Sequence, residues 1–235
     1  MNPGKTGGHV VVVMRDVRTA GIRNGTIEML ISDTHQFIFI HIPRTAGMSL
    51  RAALGPFADG DNLDFSRVRW EREYPHFTAV EISQIVGEDR FLRFFKFAFV
   101  RNPWERMVSR YSYLKQFNSR PDEPINERGY YPPASLSFGE WLTGDTRNAV
   151  HPLDLRQQKD WLVRDTSDLA VDFVGHFENL SESIDMVNKR LGTNIMMPHA
   201  NRSEHTNYRQ YYTEETRDYV GKLFAKDIET WDYKY

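Results

Sequence analysis

Two segments of this 235-residue sequence hold residue types that an oxyanion needs. The first is His41-Ile42-Pro43-Arg44-Thr45-Ala46-Gly47-Met48-Ser49-Leu50, where a cation, two hydroxyls and two small residues separate an apolar run from a helix-forming one. Successive backbone N–H groups at such a turn, with a helix dipole behind them, form an anion site. Ala46 and Gly47 let the backbone approach, Thr45 and Ser49 add hydroxyl donors, and Arg44 adds fixed positive charge. It is not a Walker phosphate loop, because the cation precedes the Gly. The second segment is Phe97-Ala98-Phe99-Val100-Arg101-Asn102-Pro103-Trp104-Glu105-Arg106-Met107-Val108-Ser109. Arg101 stands where an apolar run ends and a capped helix begins, the place where open α/β sheets bind ligands. Ser109 follows eight positions later, on the second turn of the expected helix. Taken singly, a turn without chemistry explains the first segment about as well, and a local ion pair explains Arg101 better. Both in order shift the balance to an anion site.

The elements that must position these residues follow from hydrophobic pattern and caps. Gln36–His41 and Phe94–Val100 are short continuous apolar runs, the signature of strands buried on both faces. A third strand is expected over Ala170–His176. Helices are expected over Ser49–Leu54, from the capping box Thr78-Ala79-Val80-Glu81 through Val86, and from the Asn102 cap to about Phe117. Further helices are expected after Ser137, over Leu155–Val163, over Ser181–Leu191 and from Thr213 through Ile228. Strands alternating with helices mean an α/β fold with a mostly parallel sheet. Residues 1–34 read as a weakly patterned N-terminal extension, within which Val10–Val13 is an edge-strand candidate and Met29 an alternative start; residues 35–235 form the main domain. Residues 119–135, with four prolines, read as a long surface loop.

Composition narrows the function classes. With 30 Lys+Arg against 32 Asp+Glu the net charge is -2, which argues against a dedicated duplex nucleic-acid binder. The sequence has no cysteine, so disulfides, thiolate metal sites and a Cys nucleophile are excluded. The eight His are scattered without the spacing of a metal-binding helix, and no catalytic metal is expected. No apolar run approaches the ~20 residues of a membrane span, and Met1–Gly8 lacks a signal-peptide pattern. A cytoplasmic protein is the expectation.

The segment HIPRTAGMSL resembles the 5′-phosphosulfate loop of the sulfotransferases, usually HIPKTAGTSL, and FAFVRNPWERMVSRY resembles their 3′-phosphate motif. The nearest resemblance is to the carbohydrate sulfotransferases of the chondroitin and heparan type, and it covers roughly residues 35–235, including Val171–Leu180 and Tyr208–Arg217. It implies a three-layer α/β/α, P-loop-like fold and transfer of a sulfuryl group from 3′-phosphoadenosine-5′-phosphosulfate (PAPS), without a metal, to a glycan, lipid or small alcohol. Cofactor contacts are implied for Arg44, Thr45, Ala46, Gly47, Met48, Ser49, Arg101 and Ser109. Arg44 stands at the family's usual Lys position; a guanidinium can stabilise developing charge but is a poor proton donor. Met48 replaces a usual hydroxyl residue.

The resemblance also implies a general base, and His76, just before the Thr78 cap, is the candidate; a packing role at the helix entrance is its alternative. Glu81 is a weaker alternative base, and His41 reads as structural. His176 stands where relatives often have Arg. Asn201–Tyr208 resembles a loop that folds over the nucleotide. Tyr130, Tyr131 and Trp141 are candidates for a sugar-stacking wall, or else core. A non-catalytic descendant of the fold and, less well supported, an ATP-dependent kinase are the rival functions.

Overall fold

The computed structural model describes residues 12–13, 26–27, 29–60, 63, 76–118, 136–144, 152–164, 168–197 and 207–235. Its elements in chain order are β1 (Val12–Val13), β2 (Thr26–Ile27), β3 (Leu30–Ser32), β4 (Phe37–Ile40), α1 (Gly47–Leu54), α2 (Ala79–Val86), α3 (Glu88–Arg93), β5 (Phe95–Val100) and α4 (Pro103–Asn118). There follow α5 (Phe138–Thr143), α6 (Pro152–Leu155), α7 (Lys159–Leu162), β6 (Phe173–His176), α8 (Leu180–Leu191), α9 (Glu214–Leu223) and α10 (Ala225–Trp231). The chain divides into two compact units, one of residues 1–42, 46–100 and 161–200, the other of residues 43–45, 101–160 and 201–235.

The first unit holds a four-stranded sheet in the order β3-β4-β5-β6. The pairs β4–β5 and β5–β6 are parallel, with Phe39 opposite Phe97 and Phe97 opposite Phe173, and β3 joins β4 antiparallel. Both central strands are apolar on both faces because both faces are covered. Phe37, Phe39, Phe97 and Phe99 pack with Leu50 and Leu54 of α1 and with Ile184 and Val187 of α8. Side chains alternate along a strand, so Ile38, Ile40, Ala98 and Val100 bury the opposite face. Lys96, on that face, lays its ammonium 5.4 Å from the ring of Phe91 in α3. The result is an α/β sheet, mostly parallel, with helices on both faces.

The sheet begins earlier than residue 35. Leu30–Ser32, read from sequence with the extension, are buried and form the antiparallel edge strand. The edge-strand candidate at Val10–Val13 survives as Val12–Val13, but it pairs with Thr26–Ile27 and not with the four-stranded sheet. The Thr78 and Ser137 capping boxes form, each with a Glu three residues on. Thr213 caps α9 in the same reciprocal way with Thr216 in place of Glu. The final helix expected from Thr213 through Ile228 is broken at Phe224, whose buried ring sits at φ -109° and ψ 31°. Leu155–Val163, expected as one helix, is instead the two short helices α6 and α7. The loop 119–135 lies outside the described residues.

The second unit is helical and its packing is aromatic. Tyr111 of α4 and Phe138 of α5 meet edge-on at 5.4 Å, and Phe138 meets Tyr212 at 4.8 Å. The Tyr212 hydroxyl donates to the Trp104 carbonyl at 2.9 Å, and burial raises its pKa. Trp141 is fully buried, 5.5 Å from Tyr111. It is core, not part of a sugar-stacking wall, and Tyr130 and Tyr131 lie outside the described residues. Among the described residues no helix is long and apolar enough to cross a membrane.

In β6 a Cβ at Gly175 would stand 2.6 Å from Phe99 Cε1 and 3.0 Å from Ser183 Cβ. The Phe99 ring is fully buried and cannot swing aside. Gly175→Ala is expected to destabilise by about 1–3 kcal/mol. A urea midpoint that falls at constant slope would show it; an unchanged midpoint would mean that this packing is looser than described.

Candidate functional site

Arg44 of the first segment and Ser109 of the second, 65 positions apart, are in direct contact: Arg44 Nη2 donates to Ser109 Oγ at 3.0 Å and Nε at 3.3 Å. The guanidinium also lies over the ring of Tyr113, 4.4 Å from its centroid. Ser109 and Tyr113 are one helical turn apart on α4 and so share a face. Arg101, 3% exposed, points Nη1 at the Arg44 carbonyl at 3.4 Å and pairs through Nη2 with Glu105 at 2.9 Å. Thr45 is buried beside them in the chain. Two guanidiniums and the Ser109 hydroxyl thus converge in one unit, a set fitted to bind anionic oxygens by charge-assisted hydrogen bonds.

This cluster is electrostatically strained. Burial first, and then the charge of Arg110, lowers the Arg44 pKa from its ordinary value to about 10, with Arg101 adding to the effect. Arg44 stays cationic at neutral pH, but its charged form is disfavoured, and an anion would relieve it. Arg106 and Arg110, by contrast, are structural. Arg110 Nε is 2.6 Å from Asp154 Oδ2. Arg106, buried, donates to the carbonyls of Asp154 and Arg156 at 3.0 Å each and sits 3.8 Å from Asp227. Burial raises the Asp227 pKa while Arg106 and the N–H groups of Gln158 and Lys159 oppose that rise.

The backbone at the first segment is left-handed at two non-glycine residues, with φ 69° at Arg44 and 68° at Ala46. Each such residue costs of order 1–3 kcal/mol and is characteristic of ligand sites. Ala46 is the N-cap of α1 and brings no side-chain cap. Gly47 begins the helix, Met48 is 75% exposed and Ser49 is half-buried. Gly47 is required by a close approach: a Cβ there would lie 1.5 Å from His41 Nε2.

The first unit, that of the sheet, brings His41 and His76 together, their rings 4.4 Å apart and nearly perpendicular. His76 also meets Trp161 edge-on at 6.1 Å. His76, half-buried at the entrance to α2, is therefore next to the histidine that abuts the start of α1. Glu81 has its carboxylate committed to the cap, where Oε2 accepts from Thr78 N at 2.8 Å and from Thr78 Oγ1 at 2.9 Å. His176 ends β6, and its N–H donates to Ser183 Oγ at 3.1 Å. Of Asn201–Tyr208, only Asn207 and Tyr208 are described; Asn207 caps a 3₁₀ turn.

Three contributors were not singled out from sequence. Tyr113 carried a signal, being four residues after Ser109 on one helix. Glu105 sends its carboxylate to Arg101, while Asn102 Oδ1, the expected cap, accepts from Trp104 N at 3.0 Å. Gln158, hydrogen-bonded to the Arg101 backbone from 57 positions away, carried none. No group of three or more His, Asp or Glu is placed to hold a metal among the described residues.

The chain matches the sulfotransferase family over residues 28–234 and belongs to that family. A zebrafish (Danio rerio) protein, carbohydrate sulfotransferase 14, is 23% identical over 220 residues, covering 85% of this chain and 58% of that protein. An uncharacterized protein of Archaeoglobus fulgidus is 36% identical over 107 residues, 46% of this chain and 75% of that one. A solved mouse sulfotransferase, SULT7A1 complexed with PAP, aligns with a TM-score of 0.44 at 12% identity, covering 85% of each chain.

Because Arg44 meets a hydroxyl and a ring instead of a carboxylate, an anion should stabilise the protein. Inorganic pyrophosphate at a hundred times its Kd is expected to add about 2.7 kcal/mol, seen as a higher melting temperature than in chloride of equal ionic strength. Arg44→Gln should lose most of that rise. An equal rise in the variant would remove Arg44 from the anion site.

Proposed function

We propose that this chain transfers a sulfuryl group from PAPS to a hydroxyl or amine of an acceptor, with carbohydrate as the acceptor class. The observation that carries the reading is the convergence of Arg44, Arg101 and Ser109, residues of the two segments that resemble the 5′-phosphosulfate and 3′-phosphate motifs of the sulfotransferases. The name of the zebrafish relative supports the acceptor class. PAPS supplies the activated sulfuryl group and carries a phosphate besides. The residues present suit it: Arg101 and Ser109 for the 3′-phosphate; Arg44, Thr45 and the uncapped start of α1, with Ala46, Gly47, Met48 and Ser49, for the 5′ end.

In this reading the protein contributes position and charge. Transfer of this kind is in-line and loose, so charge gathers on the bridging oxygen as its bond breaks. Arg44 meets that charge without giving up a proton. His76 takes the acceptor's proton on a ring nitrogen, with His41 packed against it.

Labelled PAPS with a panel of glycans, lipids and small alcohols tests turnover directly. Tight binding of adenosine 3′,5′-bisphosphate without transfer to any acceptor would favour a non-catalytic descendant, to which Arg44 and the exposed Met48 lend weight.

Two variants test the roles. Arg101→Ala is expected to weaken adenosine 3′,5′-bisphosphate about ten- to a hundred-fold, the worth of a charge-assisted contact, and adenosine 5′-phosphate far less. Equal losses in calorimetry would sink the assignment. With His76 as base, turnover falls on the acid side as the ring is protonated, giving an acidic limb, since only the neutral ring accepts a proton. His76→Ala should flatten that limb and lower turnover roughly 10²–10⁴-fold while nucleotide binding holds. A variant that keeps both rate and limb would leave His76 a packing residue.

A further inference from the structure

We infer that Gln158 is the positioning residue for Arg101, an inference that rests on the nucleotide reading above. Arg101 follows the last residue of β5 and precedes the Asn102 cap of α4, so its peptide groups belong to neither ladder. The Gln158 side chain satisfies both of them: Arg101 N donates to Gln158 Oε1 at 2.9 Å, and Gln158 Nε2 donates to the Arg101 carbonyl at 2.9 Å. One planar carboxamide thereby does what a neighbouring strand residue would do. It must offer an acceptor and a donor together, which glutamate and methionine cannot.

Gln158 is itself held. It is fully buried, and its backbone N and Nε2 donate to Asp227 Oδ2 at 2.8 and 3.3 Å. Asp227, also fully buried, takes Lys159 N on Oδ1 at 2.9 Å, and its own N–H donates to Gln157 Oε1 at 3.1 Å. The chain of contacts runs from α10 through Gln158 to the Arg101 peptide. With that peptide fixed, the guanidinium starts from a set place, braced by Glu105 at 2.9 Å. Small misplacements of a binding group carry large costs in a positioned reaction, and the arginine stem is long and flexible.

The test is calorimetry of adenosine 3′,5′-bisphosphate and adenosine 5′-phosphate on the full chain, wild type beside Gln158→Met and Gln158→Glu, with hydrogen exchange at the Arg101 amide. Both variants are expected to lose affinity for the bisphosphate roughly tenfold, the scale of one displaced contact, and to change for the monophosphate less than about twofold. The Arg101 amide should exchange faster in Gln158→Met. The monophosphate reports the folded fraction, so parallel loss of both nucleotides marks a purely structural role and overturns the inference. A wild-type preference for the bisphosphate that is lost in Arg101→Ala but kept in both Gln158 variants overturns this inference alone. No preference in the wild type overturns the nucleotide reading and this inference with it.

Discussion

A guanidinium taken out of water costs several kcal/mol unless acceptors or opposite charge come with it, and near neighbours of like sign raise the cost. The helical unit holds Arg44, Arg101, Arg106 and Arg110 under that constraint. Arg106 answers it with two carbonyls and Asp227, Arg110 with Asp154, and Arg101 with Glu105. Among the described residues Arg44 has no carboxylate at ion-pair distance; it rests on a hydroxyl and an aromatic face. Burial first, and then the charge of Arg110, lower its pKa. That side chain is also the one in the loop expected to meet an anion. The other cations hold α4, α6 and α10 in place around it.

Backbone geometry carries a second part of the same cost. Left-handed conformations at Arg44 and Ala46 bracket Thr45, and neither residue is the glycine that would adopt them freely. Glycine is used instead at residue 47, where the constraint is not φ but the imidazole of His41 filling the space of a Cβ. Aligned with this, His41 stacks at 6.0 Å on Phe39, whose own ring is part of the sheet core. The start of α1 is thus tied through one imidazole to the buried sheet of its own unit, and His76 is the next ring along.

What was legible in the sequence was what depends on local pattern. The apolar runs of β4 and β5, the Thr78 and Ser137 boxes and the Asn102-Pro103 start of α4 each encode their state within a few residues. Leu30–Ser32 was missed because three residues carry no period, and only pairing with β4 makes them a strand. The break at Phe224 was missed for a related reason: Val220, Phe224 and Ile228 keep helical spacing across it, and tertiary burial of Phe224 decides the kink. The resemblance marked residues 44–49, 101 and 109, because those positions lie in short contiguous motifs. Gln158 and Asp227 come from elsewhere in the chain and are meaningful only once folded.

The arginine at residue 44, where relatives usually carry lysine, can be weighed against its surroundings. An ammonium would make one directed contact to Ser109 and keep its charge compact and strongly hydrated. A guanidinium reaches Ser109 Oγ with two N–H groups and lays its face on Tyr113 at 4.4 Å, a contact worth about 0.5–1 kcal/mol or more as water is excluded. Tyr113 stands on the same face of α4 as Ser109, so the ring and the hydroxyl present themselves to residue 44 together. The substitution is therefore matched by its neighbours: α4 offers a platform suited to a flat, weakly hydrated cation. What the exchange gives up is acidity, since a guanidinium gives up no proton near neutral pH. In the proposed transfer, any proton needed by the departing bisphosphate would then come from solvent or from another group, while stabilisation of its charge would stay with Arg44.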